Sequence, residues 1–197
     1  MSTAMGAMDA PDCPLRLDVE YPEALNRWLV LVKWLLVIPH LLVLWALGLV
    51  ASIIVFIAFF AILFTRKFPQ GLFEFVANYF RWSLNVSVYY SLMRDEYPPF
   101  SWDAGQYPVT LEVDYPQELN RWLPLIKWLL IIPHFLVLLV LGIVVSVIWI
   151  IAFFVILFTK RYPRGLFDFV AGFFRWAYRV NVYYYLMRDE YPPFSLK

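Results

Sequence analysis

The sequence predicts an all-α integral membrane protein made of two tandem repeats. Each repeat is expected to hold an interfacial amphipathic helix and a two-helix transmembrane hairpin, with a small two-stranded ribbon outside the membrane. Three observations point there. Of 197 residues, 62% are hydrophobic and only 16% charged, against about half and about a quarter in an average soluble domain. Two stretches without a formal charge, 41–64 and 135–158, are each 24 residues long, enough for a helix to cross a hydrocarbon core of about 30 Å. Residues 17–101 also align with 111–195 at a constant offset of 94 and without a gap, with 57 of 85 pairs identical. A repeat on that scale governs the fold before any local pattern does.

Taken in order, residues 1–14 read as a flexible tail, 15–101 as the first repeat, 102–108 as a linker and 109–197 as the second repeat. Leu15, Leu17 and Val19 alternate with Arg16, Asp18 and Glu20, and Val109, Leu111 and Val113 alternate with Thr110, Glu112 and Asp114. Both runs lie between prolines and read as short strands. They form a ribbon if pseudo-symmetry brings them together, since a lone pair of strands is marginal in water. Next, Glu23, Asn26, Arg27 and Lys33 share one side of a helical wheel, with Trp28 and Trp34 among the apolar positions. That pattern suggests a helix at the headgroups with its lysine snorkelling outward. Pro39 should bend it, because proline has no N–H for the residue four back.

The segments 71–93 and 165–187 are more polar. Glu74, Asn78, Arg81 and Asn85 follow i, i+4, i+7 and i+11, a narrow stripe on one helical face; the copy supplies Asp168, Gly172, Arg175 and Arg179. An Arg or Asp at the membrane centre costs about 2.5–3.5 kcal/mol, while each large apolar residue returns about 0.3–0.6. Spanning therefore needs a protein partner for the stripe, and placement in the membrane plane is the alternative. The two copies carry the same flanking residues, so they should insert the same way round. That favours four crossings in two parallel hairpins, their basic tips (65–70 and 159–164) toward the cytoplasm by the positive-inside rule.

The recurring pieces are distinctive: Tyr21-Pro22, Asn26-Arg27-Trp28, Lys33-Trp34 and Ile38-Pro39-His40; then Tyr162-Pro163-Arg164-Gly165-Leu166-Phe167, an Arg-Trp pair, and the close Tyr97-Pro98-Pro99-Phe100-Ser101. The chain resembles a family of bacterial membrane proteins carrying domain of unknown function 4389, in two copies. The first copy departs at its turn, with Lys67-Phe68-Pro69-Gln70. The resemblance implies a bacterial inner-membrane location and brings no activity with it.

Chemistry is sparse. Cys13 is the single cysteine, and the two histidines are one per repeat. A net charge of +1 leaves no basic field for nucleic acid. No phosphate loop, dinucleotide fingerprint, nucleophile elbow or zinc-protease motif is present. His40 and His134, if brought together by pseudo-symmetry, would be weak candidates for haem or quinone binding; capping the proline bend is the plainer role. The stripe Glu74, Asn78, Arg81, Asn85, Asp168, Arg175 and Arg179 is the stronger candidate site, either as a polar conduit of a small transporter or channel or as interhelical glue. Arg175 and Arg179 are four apart and repel, so at least one needs a partner such as Glu74 of the other copy, a lipid phosphate or another subunit. Gly48-x-x-x-Ser52 and Gly142-x-x-x-Ser146 would allow close helix packing. The expectation is a non-catalytic multi-pass accessory or scaffold protein without catalytic, metal or cofactor residues, whose partners are the bilayer and other membrane subunits or itself.

Overall fold

A computed structural model describes residues 15–102 and 105–197; the tail 1–14 lies outside them, as do two residues of the linker. Both copies have the same element order. The first holds β1 (Leu15–Val19), α1 (Leu29–Leu36), α2 (Ile38–Thr65) and α3 (Gln70–Tyr90). The second holds β2 (Val109–Val113), α4 (Leu123–Leu130), α5 (Ile132–Thr159) and α6 (Arg164–Tyr184).

The first helix of each copy begins later than its polar pattern suggested. Asn26 Oδ1 accepts the Trp28 N–H, and the Asn26 N–H donates to the Asp95 carboxylate. Those bonds hold the preceding residues out of a helix. The expected break at Pro39 falls at Val37, where both backbone angles stay helical. The apolar rod Leu29–Thr65 is therefore nearly continuous over 37 residues. α2 ends on Arg66 in the left-handed region, φ 59, and α5 on Lys160, φ 59. Pro69 and Pro163 then open α3 and α6. A left-handed cap followed closely by proline is a sharp stop and reversal.

The hairpins run antiparallel, which corrects the expected parallel pair. The Leu25 N–H donates to the Lys160 carbonyl and the Tyr21 hydroxyl to the Tyr162 carbonyl, at the tip of the second hairpin. Arg94, at the open end of the first, donates to the Glu20 carbonyl on the same segment. The copy repeats this, with Leu119 on Arg66, Tyr115 on Phe68 and Arg188 on Asp114. Each open end thus sits beside the other hairpin's tip. The cause is strand exchange. β1 and β2 pair antiparallel, with Leu17 opposite Leu111, and those two residues occupy the same position in their repeats. Such a pairing puts a twofold axis across the strands and reverses everything attached to them. Identical flanks set the same orientation only for copies that insert independently, which this pairing forbids.

Three layers result. On one side lies the ribbon, β1 packed on α6 and β2 on α3. Its inner face of Leu15, Leu17, Val19, Val109 and Leu111 is buried, and its outer face shows Arg16, Asp18, Thr110 and Glu112. α3 and α6 form the middle. α2 and α5 form the far layer, packing through Ala51, Ile54, Ala58 and Ile62 and through Ile148, Ala152 and Ile156. Their opposite faces expose Trp45, Ile53, Phe56 and Phe64, and Leu139, Ile143, Ile150 and Phe158.

Candidate functional site

The polar stripes do not face each other across the pseudo-axis. They lie beneath the exchanged strands, and the partner that Arg81 and Arg175 required is strand backbone. Arg81 Nε donates to the Leu111 carbonyl (3.4 Å), and its Nη1 to Asn78 Oδ1. Arg175 Nε donates to the Leu17 carbonyl (3.1 Å), with Nη2 3.4 Å from Asp18 Oδ1. Arg179 avoids its neighbour's charge by donating to the Arg175 and Ser195 carbonyls. Glu74 is not that partner: it is exposed and accepts from Gln70, 2.9 Å away in its own helix. Asp168 is exposed, and Asn85 is buried with its Oδ1 unbonded. Where α3 and α6 approach, the contact is aromatic, through Phe80 with Tyr178 and Tyr185 and a Ser83–Tyr178 hydroxyl pair. An open groove of about 380 Å³, lined by Gln70, Glu74, Asn78, Arg81 and Tyr115, remains beside β2.

His40 and His134 sit at the open ends of their own hairpins, and the antiparallel arrangement puts those at opposite ends of the molecule. Each is fully buried. Nδ1 of His40 accepts the Trp82 indole N–H at 3.2 Å, and Nδ1 of His134 that of Trp176 at 3.1 Å. Phe100 stacks on His40 at 3.9 Å and Phe194 on His134 at the same distance, with Tyr97 and Tyr191 tilted against them. A ligand shared by the two imidazoles has no place in this arrangement. The residues that seal the rings come from the repeated close of each unit, 94–101 and 188–195.

That close is a latch. Lys33 does not snorkel outward; it turns in, 1% exposed, with Nζ 2.7 Å from Asp95 Oδ1 and donating to the Arg94 carbonyl at 2.7 Å. The Tyr89 ring covers it at 4.9 Å. Lys127 repeats this with Asp189, the Arg188 carbonyl and Tyr183. Arg94 grips Glu96 with Nε and Nη2, at 3.0 and 2.7 Å. Burial raises the Glu96 carboxyl, but that grip outweighs it and holds the group below the usual carboxylate range; Glu190 with Arg188 behaves alike. Burial pushes the Tyr107 hydroxyl well up, so it stays a donor to the Glu96 carbonyl. With its one charge turned inward, the outer surface of α1 is wholly apolar: Leu31, Val32, Trp34, Leu35 and Leu36 are exposed.

The small-residue patterns bring no helix backbone against another; Gly48 makes room only for the Tyr79 side chain of α3. A Cβ on Gly142 would meet nothing within 4 Å, and one on Gly48 would meet only the Tyr79 ring and hydroxyl. Ser52 and Ser146 donate back to the carbonyls of Gly48 and Gly142.

Fold and site together define a duplicated, mostly helical protein with two helices long and apolar enough to cross a membrane. The chain belongs to the family described as Domain of unknown function (DUF4389), whose model matches residues 27–101 and again 122–195. No curated protein and no solved structure matches it.

Proposed function

We propose that this is a non-catalytic scaffold embedded in one leaflet of a membrane, with α1, α2, α4 and α5 in lipid and the ribbon in water. The observation that carries this is the opposition of the two faces. One is apolar over the whole Leu29–Thr65 rod and its copy; the other displays Arg16, Asp18 and Glu112. α3 has 21 residues, about 32 Å, and Arg81 near its midpoint holds the Leu111 carbonyl. A spanning α3 would carry the ribbon's charges to the hydrocarbon centre, at about 2.5–3.5 kcal/mol each. Lying flat removes that cost. The rod also favours it, since 37 residues would reach about 55 Å if straight, well beyond a core of about 30 Å. The scaffold role rests on where the polar groups go: the stripe arginines, His40, His134, Lys33 and Lys127 are all engaged in holding the chain's own elements together.

Single cysteines at Gln70, Arg164 and Thr110, in a chain with Cys13 replaced by serine, test the placement. All three should react with an impermeant maleimide from the same side of sealed vesicles. Because the hairpins are antiparallel, spanning hairpins would put Gln70 and Arg164 on opposite sides, and that result would defeat the proposal. Retention in the membrane after carbonate washing, with release only by detergent, is the companion expectation.

A further inference from the structure

We infer that the two ends of the apolar face carry cationic rims that bind anionic phospholipid headgroups, so that the surface this protein fits is a negatively charged bilayer. The inference rests on the one-leaflet reading above and names the lipid.

At one end Arg66, Asn120, Arg121 and Trp122 line a groove of about 440 Å³. The Leu119 N–H bond to the Arg66 carbonyl pins hairpin tip to opening segment there, and Lys67 follows Arg66 on the exposed turn. The opposite end has the same construction, with Leu25 bonded to Lys160, Arg161 next in the turn, and Arg27 and Trp28 alongside. Trp28 and Trp122 are exposed, at the border between the apolar face and the cations, where tryptophans sit in membrane interfaces.

Most other cations in the chain are engaged internally: Arg81 and Arg179 donate to Asn78 and backbone carbonyls and Arg164 lies over the Tyr21 ring, while Arg16 is on the opposite face and Lys197 ends the sequence. Lys33, Lys127, Arg94, Arg188 and Arg175 each have a carboxylate partner. Among the described residues Arg27, Arg66, Lys67, Arg121, Lys160 and Arg161 have none, and Arg121 Nε is buried without any hydrogen-bond partner. The nearby carboxylates, Glu118 in the groove and Glu23 at the other end, are exposed and fewer than the bases. Phosphate oxygens accept charge-assisted bonds from guanidinium and ammonium groups. Each base near an anionic surface adds about 1 kcal/mol of attraction, screened by salt.

The test dilutes full-length protein out of mild detergent onto vesicles of phosphatidylcholine alone, or of an equimolar mixture with phosphatidylglycerol, and floats them. Both should capture it, the anionic mixture more strongly and in a salt-sensitive way. The triple variant Arg66→Gln, Lys67→Gln, Arg121→Gln should lose about a hundredfold in partitioning to the anionic vesicles, from about 1 kcal/mol per base, and nothing to the neutral ones. Arg16→Gln, on the opposite face, should change neither. Equal capture by both vesicles, or a triple variant that matches the parent, overturns the inference while leaving the one-leaflet reading standing. Capture by neither vesicle overturns both.

Discussion

The Lys33–Asp95 pair offers a sharp test, because the same ion pair can be broken from either side with unequal results. Asp95→Ala leaves an ammonium that is 1% exposed with only the Arg94 carbonyl and the Tyr89 ring for company. Removing one partner of a buried pair costs about 3–5 kcal/mol, and the ring returns about 0.5–2 of that. A net loss of about 2–4 kcal/mol remains. Lys33→Met instead deletes the charge and fills the same space; Asp95 is 24% exposed and its Oδ2 keeps the Asn26 N–H, while its buried Oδ1 is left without a partner. That change should cost less, about 1–2 kcal/mol, because the carboxylate left behind is partly hydrated and still bonded. At about 2–4 °C per kcal/mol for a chain of this size, Asp95→Ala should lower the melting temperature in mild detergent by about 4–16 °C. The double variant should recover most of the loss, as read by tryptophan fluorescence and near-UV circular dichroism. Equal losses for the two single variants would refute the reasoning, as would a double variant no better than Asp95→Ala, since either would mean that Lys33 escapes to water when unpaired.

Other outcomes can be checked in the same assay. Glu96 and Glu190 ionise more readily folded than unfolded, so their contribution is complete above the ordinary carboxylate range and fades as pH falls through the lowered folded value; Arg94→Gln should flatten that acid limb of a stability–pH curve. Gly172→Ala would put a Cβ 2.7 Å from the Leu196 carbonyl oxygen, and should loosen the carboxy-terminal segment and raise its proteolysis. Gly142→Ala, with open space, should instead gain up to about 1 kcal/mol in melting experiments from helix propensity. Tyr115→Phe deletes the hydroxyl bond to the Phe68 carbonyl across the copies, and should cost about 0.5–1.5 kcal/mol and speed exchange of amides near that tip.

Much of the architecture was legible because it depends on short-range patterns. Alternation at Leu15–Val19 and Val109–Val113 named both strands, uncharged length named α2 and α5, and Pro39 marked the break beside Val37. The left-handed turn at Leu92, two residues past the end of α3, was not legible. Its φ of 63 is a conformation where glycine is the usual signal, and leucine is held there with its side chain 1% exposed in the core. The stripe residues were found but misread. Their spacing shows that they share a face; what covers that face is a strand from the other copy, far away in sequence. The latch was undervalued for a similar reason. Arg94, Asp95, Tyr97 and Phe100 show their role only once Lys33 and His40 are placed beneath them.

The sequence alone determined the duplication, the helices and their apolar character, because these follow from identity between the halves and from periodicity within each segment. Tertiary structure decided how the halves lie. One antiparallel pairing, Leu17 against Leu111, turns the hairpins head to tail, separates the histidines and places charge opposite an apolar face. Register between distant strands is set by which of their faces is buried against the rest of the fold, and neither copy read by itself contains its partner.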